Sequence, residues 1–345
     1  MAENMELVAT NETVVIFERV DGILFTVNET SKMDKTAMFV YSTEGFIVMI
    51  FNLFMFTRIM TARELRSQKE FVLMAACMLF DFLFGLTYFV AGVWRIYIFF
   101  KWFHIPAYSQ WMCYWSPSVQ LFILITPAAG YILVLTALDR FACIFFPLKY
   151  IKLSVRYSYI IMFVPYVLDI PSSVIAFFDA YDASPKHDKF MTCMMYDGVS
   201  RKLYTHLRWL RIFCSFLVIV LYIPVAIKMY MIVKRQTEQL GLSNRGQKRL
   251  LRLTATTAML TVNTIIFLIV PDVITSFEIN SFVFYIMNMN KGVVNIAALL
   301  LTQKPLRRLF YKPNNKVAVS TIDVRSTSIA ASKFYNTIKV KAKKN

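Results

Sequence analysis

Charge is scarce in this 345-residue chain: Asp, Glu, Lys and Arg make up 17% of it, against 57% hydrophobic residues. Acids are scarcer still, 21 against 38 basic residues. Soluble domains keep about a quarter of their residues charged, so an ordinary aqueous globule is excluded. Nine Gly and eleven Pro are too few for a collagen-like or low-complexity chain. Five Cys are too few for a disulfide-built scaffold, and no CxxC or CxxH pair offers a metal knuckle. Without a P-loop, metal-ligand cluster or nucleophile and base pair, neither an enzyme, a metal site nor a cofactor is expected. No period of 20 to 50 residues repeats.

What the chain does have is apolar surface: 31 Phe, 18 Tyr, 19 Met and a mean hydropathy of +0.53. Crossing about 30 Å of hydrocarbon takes roughly 20 helical residues. Runs of that length lie near 37–57, 71–94, 112–138, 157–178, 212–233, 253–277 and 279–301, the last two divided only at Glu278. The alternation of a membrane barrel is absent, and lipid offers no water to an open backbone. The pattern therefore predicts an all-α membrane protein, a seven-transmembrane helix bundle over 37–302. A tail, 1–36, precedes it. After it come a juxtamembrane amphipathic helix, 303–312, with Pro305 near its start, and a polar, basic, disordered tail, 313–345.

Charge sets the orientation. The segments after spans one, three, five and seven hold 25 of the 38 basic residues and only five acids, whereas the opposite side has 11 basic residues and 12 acids. By the positive-inside tendency the first side is cytoplasmic and the N-terminus extracellular. The basic excess is thereby explained without nucleic acid, and lipid headgroups are expected partners of the basic face. Asn11-Glu12-Thr13 and Asn28-Glu29-Thr30 are glycosylation triplets, with Asn11 and Asn28 as acceptors, and agree with an outer tail. Met1 to Thr10 lacks the features of a cleavable signal, so span one is expected to act as signal anchor. Only Cys113 and Cys193 fall on the oxidising side, where a bridge would tie the second outer loop to the top of span three.

Local motifs add more. Span three ends in Leu138-Asp139-Arg140-Phe141, followed by Pro147-Leu148-Lys149-Tyr150. Here the chain resembles the rhodopsin-like G-protein-coupled receptors, whose third helix ends in Asp/Glu-Arg-Tyr; Phe141 stands for the Tyr. Asn52, Asp81, Pro224, Pro271 and Asn295 fall where that family keeps its markers, and the resemblance covers about residues 37–312. Departures are frequent: Asn295-Ile296-Ala297-Ala298-Leu299 keeps only the Asn of its motif, and Ile269 replaces the span-six aromatic. Such erosion is similar to the nematode serpentine chemoreceptor families. The resemblance implies a heterotrimeric G protein as partner, coupled through Asp139, Arg140 and Phe141. It also implies residence in the plasma membrane and, for a sensory member, in a cilium. No acid stands at Leu251 and Arg252 to latch Arg140, which predicts a weakly held inactive state.

The same resemblance assigns roles inside the bundle. Asp81 takes the position of the family's sodium-binding carboxylate, but Ala129 replaces a hydroxyl there and Lys291 lies one turn before Asn295 on the same face. The Lys291 ammonium is expected in place of the ion; the alternative is a protonated Asp81 with Lys291 in a wet crevice. Lys291 is two residues too far along for a retinal Schiff base, a rotation of about 200°. Phe122 occupies the place of an amine-binding Asp. The expected outer pocket is lined by Gln120, Phe122, Ile123, Thr126, Asp272, Thr275, Ser276, Tyr285 and Asn288, which suits a small, mostly apolar ligand. Asp272 either receives a cation or pairs with Arg208 or Arg211. A peptide ligand stays open, because a bridged, charged outer loop suits one. The rival from another class is a ligand-gated channel or small transporter using Asp81, Asp169 and Lys291.

Overall fold

The computed structural model describes residues 5–10, 13–20, 23–26, 35–101, 105–185, 189–190, 193–238, 256, 258–276, 282–303 and 306–307. Span one is Lys35–Thr61, span two Lys69–Lys101 and span three Pro117–Phe145. Span four runs as Val155–Leu168 and Ile170–Asp182, and span five is Arg201–Glu238. Span six is helical from residue 258, turns π-helical over Ile265–Ile269 and ends in Val270–Ser276. Span seven is Phe282–Thr302. Five of these are long and apolar enough to cross a membrane, and two shorter apolar helices, Ala258–Ile274 and Ile286–Thr302, make up the seven.

The outward faces identify the solvent. On span five Phe213, Phe216, Val220, Ile223, Ile227 and Tyr230 are all exposed, at helical spacings of three and four. An apolar stripe turned away from the core is the reverse of a soluble amphipathic helix and matches a lipid-facing one. Inside, small residues let backbones touch. A Cβ on Gly45 would lie 2.6 Å from Phe89 N, and one on Gly85 would lie 2.6 Å from Met49 N. Spans one and two therefore pack backbone to backbone, as membrane helices do where van der Waals contact replaces the hydrophobic drive.

Among the described residues the three largest apolar clusters run down the bundle. At the Cys113 end Tyr114, Val119, Ile123, Ala176, Leu203 and Leu207 pack together; in the middle Phe80, Phe84, Tyr88, Ile125 and Met289; at the Arg140 end Met55, Ile59, Phe71, Met78, Leu299 and Leu306.

Several boundaries differ from those expected. Span two continues to Lys101 rather than 94, and span five starts at Arg201 rather than 212, because helices project beyond the apolar stretch that hydropathy detects. Span three begins at Pro117 rather than 112: Gln110–Tyr114 is a separate turn whose Ser109 cap accepts from Met112 N at 3.2 Å, and Pro117 then starts a new helix.

The first 36 residues, expected as a plain tail, hold strands β1 (Met5–Thr10), β2 (Thr13–Val20) and β3 (Ile23–Thr26). They continue through β4 (Ile105–Tyr108) and β5 (Lys189–Phe190) as one antiparallel meander, β1-β2-β3-β4-β5, capping the disulfide end of the helical bundle. Beside β5, Cys193 is bonded to Cys113 across 80 residues. The acceptors Asn11 and Asn28, most of the 303–312 segment and all of 313–345 lie outside the described residues. Within 303–307, Gln303 Nε2 donates to Thr256 Oγ1 at 2.7 Å and Leu306 is buried.

Candidate functional site

Four spans meet at a buried polar knot. Asp81 of span two receives Lys291 Nζ on Oδ1 at 2.7 Å and Asn295 Nδ2 on Oδ2 at 2.8 Å, both from span seven. Span six adds Asn263, whose Nδ2 donates to Asn295 Oδ1 at 2.8 Å and to the Lys291 carbonyl at 3.1 Å. The ammonium also lies over the Phe80 ring, 4.5 Å from its centre. Asn52 of span one donates from Nδ2 to the Val48 carbonyl at 2.8 Å, and Gly292 is packed against Val48 and Asn52. Both carboxylate oxygens are thus filled, which is what a buried charge in low dielectric requires.

A cavity of about 30 Å³ adjoins this knot, lined by Cys77, Ala129, Ile132, Thr136, Leu260 and Thr264 among others. It has room for a few waters and is far smaller than the several hundred Å³ of a drug-sized pocket. Among the described residues no group of His, Cys, Asp and Glu is arranged to hold a metal.

At the opposite end of span three from the disulfide, Arg140 Nη2 lies 2.5 Å from Asp139 Oδ2, both fully buried. Tyr150, on the short helix Pro147–Lys152, donates its hydroxyl to the same Oδ2 at 3.2 Å. Lys69 holds Tyr150 from the far side: its Nζ donates to the Tyr150 carbonyl and lies 3.7 Å from the ring centre. Burial pushes the Tyr150 phenol up, against the pull of the Arg140 guanidinium, so it remains a donor. Arg140 Nη1 and Asp139 Oδ1 are buried without a hydrogen-bond partner. Phe141 instead stacks on Phe145, with ring centres 4.4 Å apart.

Of the residues expected to line an outer pocket, the described ones take these places. Ile123 is a wall of the apolar cluster near Cys113. Gln120 Nε2 donates to the Tyr114 carbonyl at 2.6 Å, and Thr126 Oγ1 to the Phe122 carbonyl at 2.6 Å. Phe122 meets Tyr88 edge-on at 5.3 Å. Asp272 accepts from Arg211, one of the two partners weighed for it. Asn288 is partly buried; the side chains of Thr275, Ser276 and Tyr285 lie outside the described residues, as do Leu251 and Arg252. Asp169 sits at the break in span four, accepting from Ser173 Oγ at 3.3 Å, and does not line the cavity. Pro224 lies within span five, and Pro271 stands two residues after the end of the π-helical stretch.

Reading the sequence missed Asn263, Tyr150 as a functional residue, and Lys69. Asn263 carried a signal, a polar amide inside the apolar run of span six. Lys69 and Tyr150 carried none, since their meeting depends on how a loop helix folds back over 81 residues.

A family model described as serpentine type 7TM GPCR chemoreceptor Srsx matches residues 45–302, well over half of the chain. No curated protein matches it.

Proposed function

From the chain's membership of that serpentine seven-transmembrane chemoreceptor family, we propose that it is a chemosensory receptor of the plasma membrane, binding a small external ligand and activating a heterotrimeric G protein. The observation that carries the coupling step is the buried Arg140, held by its own neighbour Asp139, whose carboxylate also accepts from the Tyr150 hydroxyl, with one guanidinium nitrogen lacking an acceptor. A guanidinium so placed gains hydrogen bonds by leaving its pocket, since unmade bonds of a buried charge are costly. A ligand that favours one packing of spans three, five, six and seven moves Arg140 out of Asp139's grip and offers it to the partner's backbone.

Conduction is disfavoured by the pairing inside. Asp81 and Lys291 neutralise each other at 2.7 Å, and Asp169 stands apart, so the three do not form a chain of exchangeable sites.

The test is a second-messenger response in cells expressing the full chain, screened with volatile, small-molecule and peptide libraries. Arg140→Ala is expected to abolish the response while surface expression is kept and no membrane current accompanies it. A current that persists when G proteins are blocked would sink the proposal in favour of a channel.

A further inference from the structure

Among the described residues, the scheme above leaves one buried ion pair unused. Arg211 stands ten residues into span five, about 15 Å below its start at 1.5 Å per residue. Asp272 stands four residues before Ser276, where span six ends. Arg211 Nη2 donates to Asp272 Oδ1, and the two side chains are only 13% and 7% exposed. One turn nearer the disulfide end, Arg208 also acts on Asp272 through its charge, and its guanidinium lies 4.8 Å from the Tyr204 ring centre. Span three supports the arrangement from behind: a Cβ on Gly130 would come 2.9 Å from Cys214 Cβ and 3.3 Å from Arg211 Cα.

Two features give the pair a purpose other than stability. Buried pairs lose in desolvation most of what they gain in attraction, so this one is a poor stabiliser but a firm tie between two helices. Asp272 also lies three residues after the π-helical Ile265–Ile269, a distortion found mostly at working sites. Arg211 Nε, moreover, is buried without a hydrogen-bond partner. Nε and Nη2 are the two parallel donors that a planar carboxylate takes together.

We infer that the Arg211–Asp272 pair is a lock between spans five and six that a carboxylate-bearing ligand opens. The ligand's two oxygens take Nε and Nη2 of Arg211, and Asp272 passes to Arg208. The sign of the site selects an anion: Arg211 is paired with Asp272 and the charge of Arg208 adds to it, so an incoming ammonium is repelled and a carboxylate attracted. This inference rests on the receptor reading for its readout.

The experiment uses the full chain in cells, with G-protein activation as signal. Probes are the straight-chain acids from butyrate to decanoate, benzoate and phenylacetate, each beside its methyl ester and the amine of the same skeleton. Acids are expected to act roughly ten- to a hundredfold more potently than their esters, the range that one or two charge-assisted hydrogen bonds supply. Arg211→Gln should remove that preference, and Asp272→Asn should raise the signal with no probe added. Arg211→Gln combined with Asp272→Asn keeps a neutral hydrogen-bonded pair and controls for folding, read as surface expression.

Esters or amines matching the acids, or all three classes silent, overturn the carboxylate assignment. An unchanged basal signal from well-expressed Asp272→Asn overturns the lock. Failure of the receptor reading is separable: there, a raised Asp272→Asn signal survives the addition of Arg140→Ala.

Discussion

Two buried acids of the bundle, Asp81 and Asp139, are held in opposite ways. Asp81 is tied by residues more than 200 positions away, Lys291 and Asn295, and each of its oxygens has a donor. Asp139 is tied chiefly by the next residue in its own helix, and Oδ1 is left buried with no partner. A carboxylate satisfied from across the bundle fixes the positions of spans two, six and seven together. One satisfied from its own helix, with a donor and an acceptor left over, binds its arginine without committing the bundle to one shape. On the proposed function, the first arrangement would suit a pivot and the second a catch.

Four substitutions sharpen or break that contrast. Lys291→Met strands Asp81 in the core and should cost about 3–5 kcal/mol, seen as a collapse of surface expression. Adding Asp81→Asn should restore part of it, and a double variant no better than either single would refute the pairing. Asn263→Ala removes the donor to Asn295 and to the Lys291 carbonyl, for about 1–3 kcal/mol, read as a lower melting temperature of the detergent-solubilised protein. An unchanged melting point would remove span six from the pivot. The smallest effect is expected of Tyr150→Phe. Losing its single hydrogen bond to Asp139, worth about 1 kcal/mol, should raise basal G-protein signal roughly fivefold with expression unaltered. Basal signal that stays flat would mean that the loop helix does not restrain Arg140.

Much of the bundle was readable from hydropathy because lipid demands length and apolarity in every span, and these survive any detail of packing. The pairing of Lys291 with Asp81 was also foreseeable, since two opposite charges in one membrane core have few other partners. What was hidden depends on contacts between distant segments. The π-helical turn before Pro271 has no composition signal, and the break at Asp169 is marked only by the Pro171 that follows it. The strands near the N-terminus did carry one: Thr13 to Val20 is rich in β-branched residues, and Asp21-Gly22 is a favoured hairpin pair. A short polar lead-in to a membrane span obscured it. Nor does helical position alone say that Ile123 faces neighbouring apolar side chains or that Gln120 holds the Tyr114 carbonyl.

The meander gives the chain's beginning an uncommon responsibility. β3 is hydrogen-bonded to β4, which leads into span three, and β4 to β5, which leads to Cys193. Deleting the first 26 residues would leave β4 with a bare edge at the mouth of the bundle. A truncation or bulky fusion at the N-terminus, usually the safest place to modify a protein, would here disturb the sheet that ties together the segments leading to Cys113 and Cys193.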